Sequence, residues 1–304
     1  MEEQPSTTQL DAFHDRGREL LADQARSLDA IIGTLHELDP ARTRPSVWVP
    51  MLMLQAVGVS VHSVLALTRE RSMAIRDGFG IARSAVETAI NAAFISVGGD
   101  PLADRAIRHM RQKRWRDLNR EARIGDLQIT TSRDIGMQIE DFPGLREALD
   151  EFTRSKRGTE VREWTDVSLE NRIAAISAKS RRGGIGLGSA FFGIYRPASE
   201  LLHGSYYGVN FFWQGSRATP ARDRDAFEHL WVMEHFSLLL SCLFLSIGGA
   251  IDTLSEIHGF PEHAARQTLL SQQLQILIEA MSAADPDDEH RFAAKQSSGE
   301  TSDG

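Results

Sequence analysis

The sequence predicts an all-α protein: a multi-helix bundle with long central apolar helices and a disordered acidic C-terminal tail. Three observations lead there. Apolar residues recur at helical spacing in segment after segment, as at Leu10, Phe13, Leu20, Leu21, Leu28, Ile31, Ile32 and Leu35. Proline and glycine fall between these segments, where helices start and stop. Two stretches, 47–67 and 236–251, carry no formal charge, as expected of helices covered by neighbours on most sides.

The elements follow in order. A first helix over 8–38 ends at Asp39-Pro40, because proline disfavours helix in the residue before it. Ser46 is the expected N-cap of a helix reaching Thr68. A third helix over 74–97 stops at Gly98-Gly99. Asp100-Pro101 opens a fourth, expected to run to Ile124 before Gly125. Residues 126–141 show no clear period. A short helix is expected over 143–156, a loop over 157–166, and a helix over 168–180 capped by Ser168. The glycine-rich stretch 181–188 reads as a flexible connector. Helices over 189–208, 223–258 and 261–284 complete the bundle. No run of alternating apolar and polar residues between hairpin turns is evident, and no repeat of fixed period. The expected division is an N-terminal helix and linker (1–45), a helical bundle domain (46–284) and a disordered tail (285–304).

Composition narrows the function classes. The chain has 304 residues and a net charge of −8, so overall charge gives no support for nucleic-acid binding. The single cysteine, Cys242, permits neither a disulfide framework nor a cysteine-based zinc site. With a polar first segment unlike a signal peptide, the expectation is a cytoplasmic protein. Stretch 47–67 has the length of a bilayer span. However, it contains Gln55, Ser60, His62 and Ser63, so a membrane location is not expected.

One segment stands out chemically. Tyr195, Ser199 and His203 recur at i, i+4 and i+8, and Arg196, Glu200 and His203 share a flank with them. Pro197 either starts this helix or kinks it. Apolar residues surround the polar ones, and a buried polar group left unpaired costs about 1–3 kcal/mol. Partners are therefore expected, and Arg83 and Glu87 on the third helix are the candidates. Such a network is either a polar latch that fixes helix register or a site for a small ligand, a partner helix or RNA.

Other constellations are weaker. Glu200-x-x-His203 is the unit of di-iron bundles, but no second unit accompanies it, so no metal and no cofactor are expected. The loop Arg181-Arg182-Gly183-Gly184 lacks the strand that a dinucleotide fingerprint needs. Region 101–124 is locally basic and contains Trp115, which makes it the best nucleic-acid surface the sequence offers. Such runs are more often solvated faces.

Trp164, Ser168 and Arg172, then Tyr195-Arg196-x-x-Ser199-x-x-x-His203, with Arg83 and Glu87 upstream, resemble an uncharacterised family of bacterial all-helical proteins catalogued as a domain of unknown function. The resemblance covers about 47–251 and implies a helical fold with no established activity. A more distant similarity is to HEPN-type helical proteins, many of them dimeric, metal-independent ribonucleases with an Arg-x(4–6)-His motif. It implies catalytic roles for Arg196 and His203, with Arg196 on the phosphate and His203 moving a proton. Pro197 departs from the pattern of the active members. Two readings remain open: a binding or sensing protein with a polar pocket at Tyr195, Arg196, Ser199, Glu200, His203, Arg83 and Glu87, or a dimeric ribonuclease using Arg196 and His203.

Overall fold

In the computed structural model, which describes residues 7–132, 138–154, 159–217 and 219–282, the chain is mostly helical. The expected tail over 285–304 lies outside the described residues. Helix α1 (Thr7–Leu38) leads into α2 (Pro45–Leu67), α3 (Ile75–Gly98) and α4 (Asp100–Leu118). A hairpin of β1 (Asn119–Ile124) and β2 (Leu127–Ser132) follows, then α5 (Leu145–Glu151) and the two-residue strands β3 (Thr153–Arg154) and β4 (Thr159–Glu160). Then come α6 (Leu169–Lys179), α7 (Arg181–Leu202), α8 (Tyr206–Gln214), α9 (Arg224–Leu230), α10 (Ser237–His258) and α11 (Pro261–Ser282). A π-helical turn, Trp231–Phe236, joins α9 to α10, so the long apolar helix expected over 223–258 is present in three continuous parts.

Helix α3 is central. It packs on α2, α6, α7 and α10. Its small residues Ala82, Ala85, Ala89, Ala92 and Ala93 are buried and let four neighbours approach closely. Helix α1 packs on α2, α10 and α11, and Leu20, Leu21, Leu28, Ile31 and Leu35 are fully buried. At about 1.5–3 kcal/mol for each such side chain, α1 is part of the main core. Two stretches, Pro45–Leu67 and Arg224–His258, are long and apolar enough to cross a membrane by length and composition alone. The second is mostly buried inside the protein, whereas α2 keeps Leu52 and Val59 exposed.

Several expected boundaries are corrected. Residues 181–188 are not a connector but the first two turns of α7. Their glycines are packing surfaces: a Cβ on Gly183 would sit 2.8 Å from the Gly249 carbonyl, and one on Gly186 would sit 2.9 Å from the Leu245 carbonyl. Backbone therefore meets backbone between α7 and α10, which outweighs the low helix propensity of glycine. Helix α4 stops at Leu118 rather than Ile124, and the chain turns into a hairpin at Gly125, where φ is +59°. Arg120 to Ile124 are thus strand residues, although no strand was expected. Ser46 does not cap α2. Pro45 occupies its first turn after Arg44, and the Ser46 N–H donates to Asp100 at the mouth of α4 (2.9 Å). Ser168 does cap α6, accepting from the Asn171 N–H.

Candidate functional site

Helix α7 carries the polar segment singled out above. Ser180 caps its start by accepting from the Gly183 N–H, and the helix continues through Pro197 to Leu202. Pro197 therefore neither begins nor breaks it, although it removes the N–H that would pair with the Gly193 carbonyl. Arg196 sits within the helix rather than at its mouth. Two flanks of α7 have different surroundings.

The inner flank faces α3. Arg83, Glu87 and Asn91 lie one turn apart along α3. Arg83 pairs with Glu87 (Nε–Oε1 2.9 Å), and its guanidinium lies over the Tyr195 ring at 4.3 Å. One turn on, the Arg172 guanidinium donates to Asn91 Oδ1 (2.6 Å) and to the Val167 carbonyl (2.8 Å), and lies 5.4 Å from the Trp164 ring. Arg172 is only 5% exposed, and burial lowers its pKa from the ordinary arginine value. These side chains bind α3, α6 and α7 together.

The outer flank faces away from the bundle. Phe192, Arg196, Ser199 and His203 follow a 4-3-4 spacing along one stripe. Phe192 is 87% exposed, Arg196 and His203 are exposed, and Ser199 is half-buried. The Arg196 guanidinium lies 5.4 Å from the Tyr207 ring at the start of α8. Glu200 tethers α8 to α7: the Ser205 hydroxyl donates to the Glu200 carboxylate, while Ser205 Oγ accepts from the Gly208 N–H (3.1 Å). Beside this tether Tyr206 is 86% exposed, and Leu202 and Val209 are also exposed.

Of the seven predicted site residues, the structure joins Arg83, Glu87 and Tyr195. It places Arg196, Ser199 and His203 on the other flank and gives Glu200 to the α7–α8 junction. A buried network of all seven is therefore corrected. Among the described residues, no hydrogen bond or ion pair links Arg83 or Glu87 to Ser199, Glu200 or His203. Asn91 joins the inner set without being among the sequence candidates, although it continues the spacing from Arg83 and Glu87. Phe192, Tyr206 and Tyr207 were missed as exposed groups, because aromatic residues read as core in a sequence.

Other reactive groups are constrained by burial. The Cys242 thiol is pushed up to about 12, so it is no nucleophile at neutral pH. Burial raises the Asp252 carboxyl to about 6 despite Arg182 at 3.5 Å. Among the described residues, no group of three or more His, Cys, Asp or Glu side chains could hold a metal ion.

The profile of one family matches residues 48–218, more than half of the chain, spanning α3, α6 and α7 and so every residue of both flanks. The chain belongs to the family of unknown function DUF5677. No curated protein and no solved structure matches it. The DUF5677 region closes shortly after α8, so the π-helical turn, α10 and α11 lie beyond it.

Proposed function

We propose that this chain is a helical binding protein whose recognition surface is the outer flank of α7 with the first turns of α8. Phe192, Tyr206 and Tyr207 supply exposed aromatic area, and Arg196, Ser199 and His203 supply polar contacts. Aromatic residues and arginine are the types enriched at protein–protein contacts. Exposed apolar groups gathered on one face of a soluble fold mark such contacts. The observation that carries the reading is the exposure of Phe192, Arg196 and His203 along one stripe of α7, with the exposed Tyr207 ring of α8 5.4 Å from the Arg196 guanidinium. The inner set of Arg83, Glu87 and Tyr195 positions α7 and does not meet the ligand. A second copy of the chain is the partner to test first. A two-fold axis along the stripe would bring the same patch of each subunit together. Sedimentation of the purified chain at micromolar concentration is expected to show a dimer. A monomeric wild-type chain would remove self-association and leave the face to another partner.

A second reading is favoured by one further fact. Arg196 and His203 are both exposed, and neither has an ion-pair partner among the described residues. Two turns apart, about 10 Å along the axis, they could address one phosphate. In RNA cleavage the 2′-oxygen attacks phosphorus while the 5′-oxygen leaves on the opposite side. One His203 takes the 2′-hydroxyl proton, and a second must protonate the leaving oxygen. The products are a 2′,3′-cyclic phosphate and a 5′-hydroxyl end. A dimer across α7 supplies the second histidine. Incubation with single-stranded RNA should give cyclic-phosphate ends that His203→Ala abolishes. Intact RNA in both samples would leave the binding reading alone.

A further inference from the structure

Among the described elements helix α4 is the most basic, and the structure divides its cations into two groups. On one side Arg105 and Arg108 pair with Glu151 of α5, and Lys113 pairs with Glu160 of β4. On the other side Arg111 and Arg114 are exposed, and neither has an acidic partner among the described residues. The two acids of the short 3-10 turn Ile139–Asp141 are already engaged. Glu140 pairs with Arg146, and Asp141 accepts from the Gln138 N–H (2.8 Å).

These two arginines line a cleft of about 360 Å³ with Met110, Trp115, Phe142 and Leu145. That volume lies within the range of about 300–1,000 Å³ usual for small-molecule sites. Trp115 and Phe142 meet edge to face, with centroids 5.7 Å apart and planes at 64°, so they form an aromatic corner. Phe142 and Met110 remain partly exposed beside it. Gly144, at φ +75°, leaves room for the Arg111 guanidinium: a Cβ there would lie 2.5 Å from Arg111 Nη1. The cleft thus combines an apolar aromatic corner with two cations in its lining.

We propose that this cleft binds a nucleoside phosphate, with the base against the Trp115–Phe142 corner and the phosphate held by Arg111 and Arg114. Stacking of a base on an aromatic side chain contributes about 1–3 kcal/mol and suits any base. Guanidinium groups bind phosphate oxygens through paired N–H donors. Neither element suffices alone, so the site selects a planar ring that carries an anion. The unit could arrive as a free mononucleotide or as one residue of a single strand. The cleft is built from different helices than the α7 face, so either site can fail without the other.

The test is calorimetric titration of the full chain with AMP, adenosine, orthophosphate and a five-nucleotide single-stranded RNA. AMP is expected to bind in the micromolar-to-millimolar range, with adenosine and orthophosphate each weaker by about tenfold or more. Comparable affinities for AMP and the oligonucleotide would assign the free nucleotide. An oligonucleotide about tenfold tighter than AMP would assign the strand. Changing Arg111→Gln with Arg114→Gln should weaken binding by about tenfold or more, and added salt should do the same to the wild type. These side chains are exposed, so the melting temperature should hold. Trp115→Leu should also lose binding, with circular dichroism confirming the fold. The proposal is overturned if neither AMP nor the oligonucleotide binds at concentrations up to about 5 mM. It is equally overturned if the double arginine variant binds as tightly as the wild type.

Discussion

The two flanks of α7 share one short stretch of sequence and have different surroundings. On the inner flank Tyr195 lies under Arg83, which is paired to Glu87, and Arg172 reaches Asn91 in the next turn. On the outer flank Phe192, Arg196 and His203 stand in solvent. A polar residue held by neighbours on three helices stabilises their arrangement. A polar or aromatic residue with no such neighbours is free to meet a ligand. Tyr195 thus belongs to one flank and Arg196, Ser199 and His203 to the other, interleaved because a helix turns about 100° per residue.

Removing an inner residue should have the largest effect on stability. Arg172→Ala leaves Asn91 Oδ1 and the Val167 carbonyl without their donor. It should cost about 3 kcal/mol in chemical denaturation: each partly buried acceptor left unpaired costs about 1 kcal/mol, and the packing of a side chain only 5% exposed is lost with them. A loss below about 0.5 kcal/mol, the usual size for a surface change, would deny the inner flank its structural role.

Next in size is the packing that holds α7 on α10. Gly183→Ala places a methyl 2.0 Å from Thr253 Oγ1 and 2.8 Å from the Gly249 carbonyl. Overpacking of this kind should destabilise by about 2–3 kcal/mol. Were 181–188 a flexible connector, the same change would be neutral or slightly stabilising.

The buried carboxyl beside that contact gives a pH test. Asp252 holds its proton to about pH 6 when folded. The unfolded chain releases it near pH 4. Between these values the folded state binds the extra proton, so stability from this residue is fully present below about pH 4 and is lost as pH rises through 6. Comparing the stability of Asp252→Asn with wild type should therefore show the variant gaining as the pH goes from 4 to 7, by on the order of 1–2 kcal/mol. A difference that is flat with pH would mean that Asp252 is better solvated than its burial implies.

Smaller again is Arg83→Ala. It removes a partly buried ion pair and the contact over Tyr195 and should cost about 1 kcal/mol. The smallest stability effects belong to the outer flank: Arg196→Ala and His203→Ala should each stay within about 0.5 kcal/mol. Both should nevertheless weaken whatever binding or cleavage the face performs.

Much of the fold was legible in the sequence. The 3.6-residue period marked α1, α3 and α10, and proline and glycine marked their ends. The misread parts share a physical cause. Glycine in 181–188 signals a flexible link locally, but tertiary contact with the Gly249 backbone turns it into a packing surface. The hairpin at 119–132 was hidden because its strands follow a basic helix without a break in composition. Arg83, Glu87 and Tyr195 were found because a charged pair in an apolar helix requires a partner. The exposure of Phe192 and Tyr206 was not legible, since apolar character alone does not distinguish core from docking surface.

If, as proposed, the outer flank of α7 recognises a second copy while the inner flank holds the fold, changing the outer flank should alter assembly and leave stability intact. Sedimentation of the wild-type chain beside the double variant Phe192→Ser, Tyr206→Ser, with thermal melts of both, tests it most directly. The wild type is expected to be a dimer and the variant a monomer, with the melting temperature of the monomeric fold kept. A dimer of unchanged affinity in the variant, or a variant that unfolds, would contradict it.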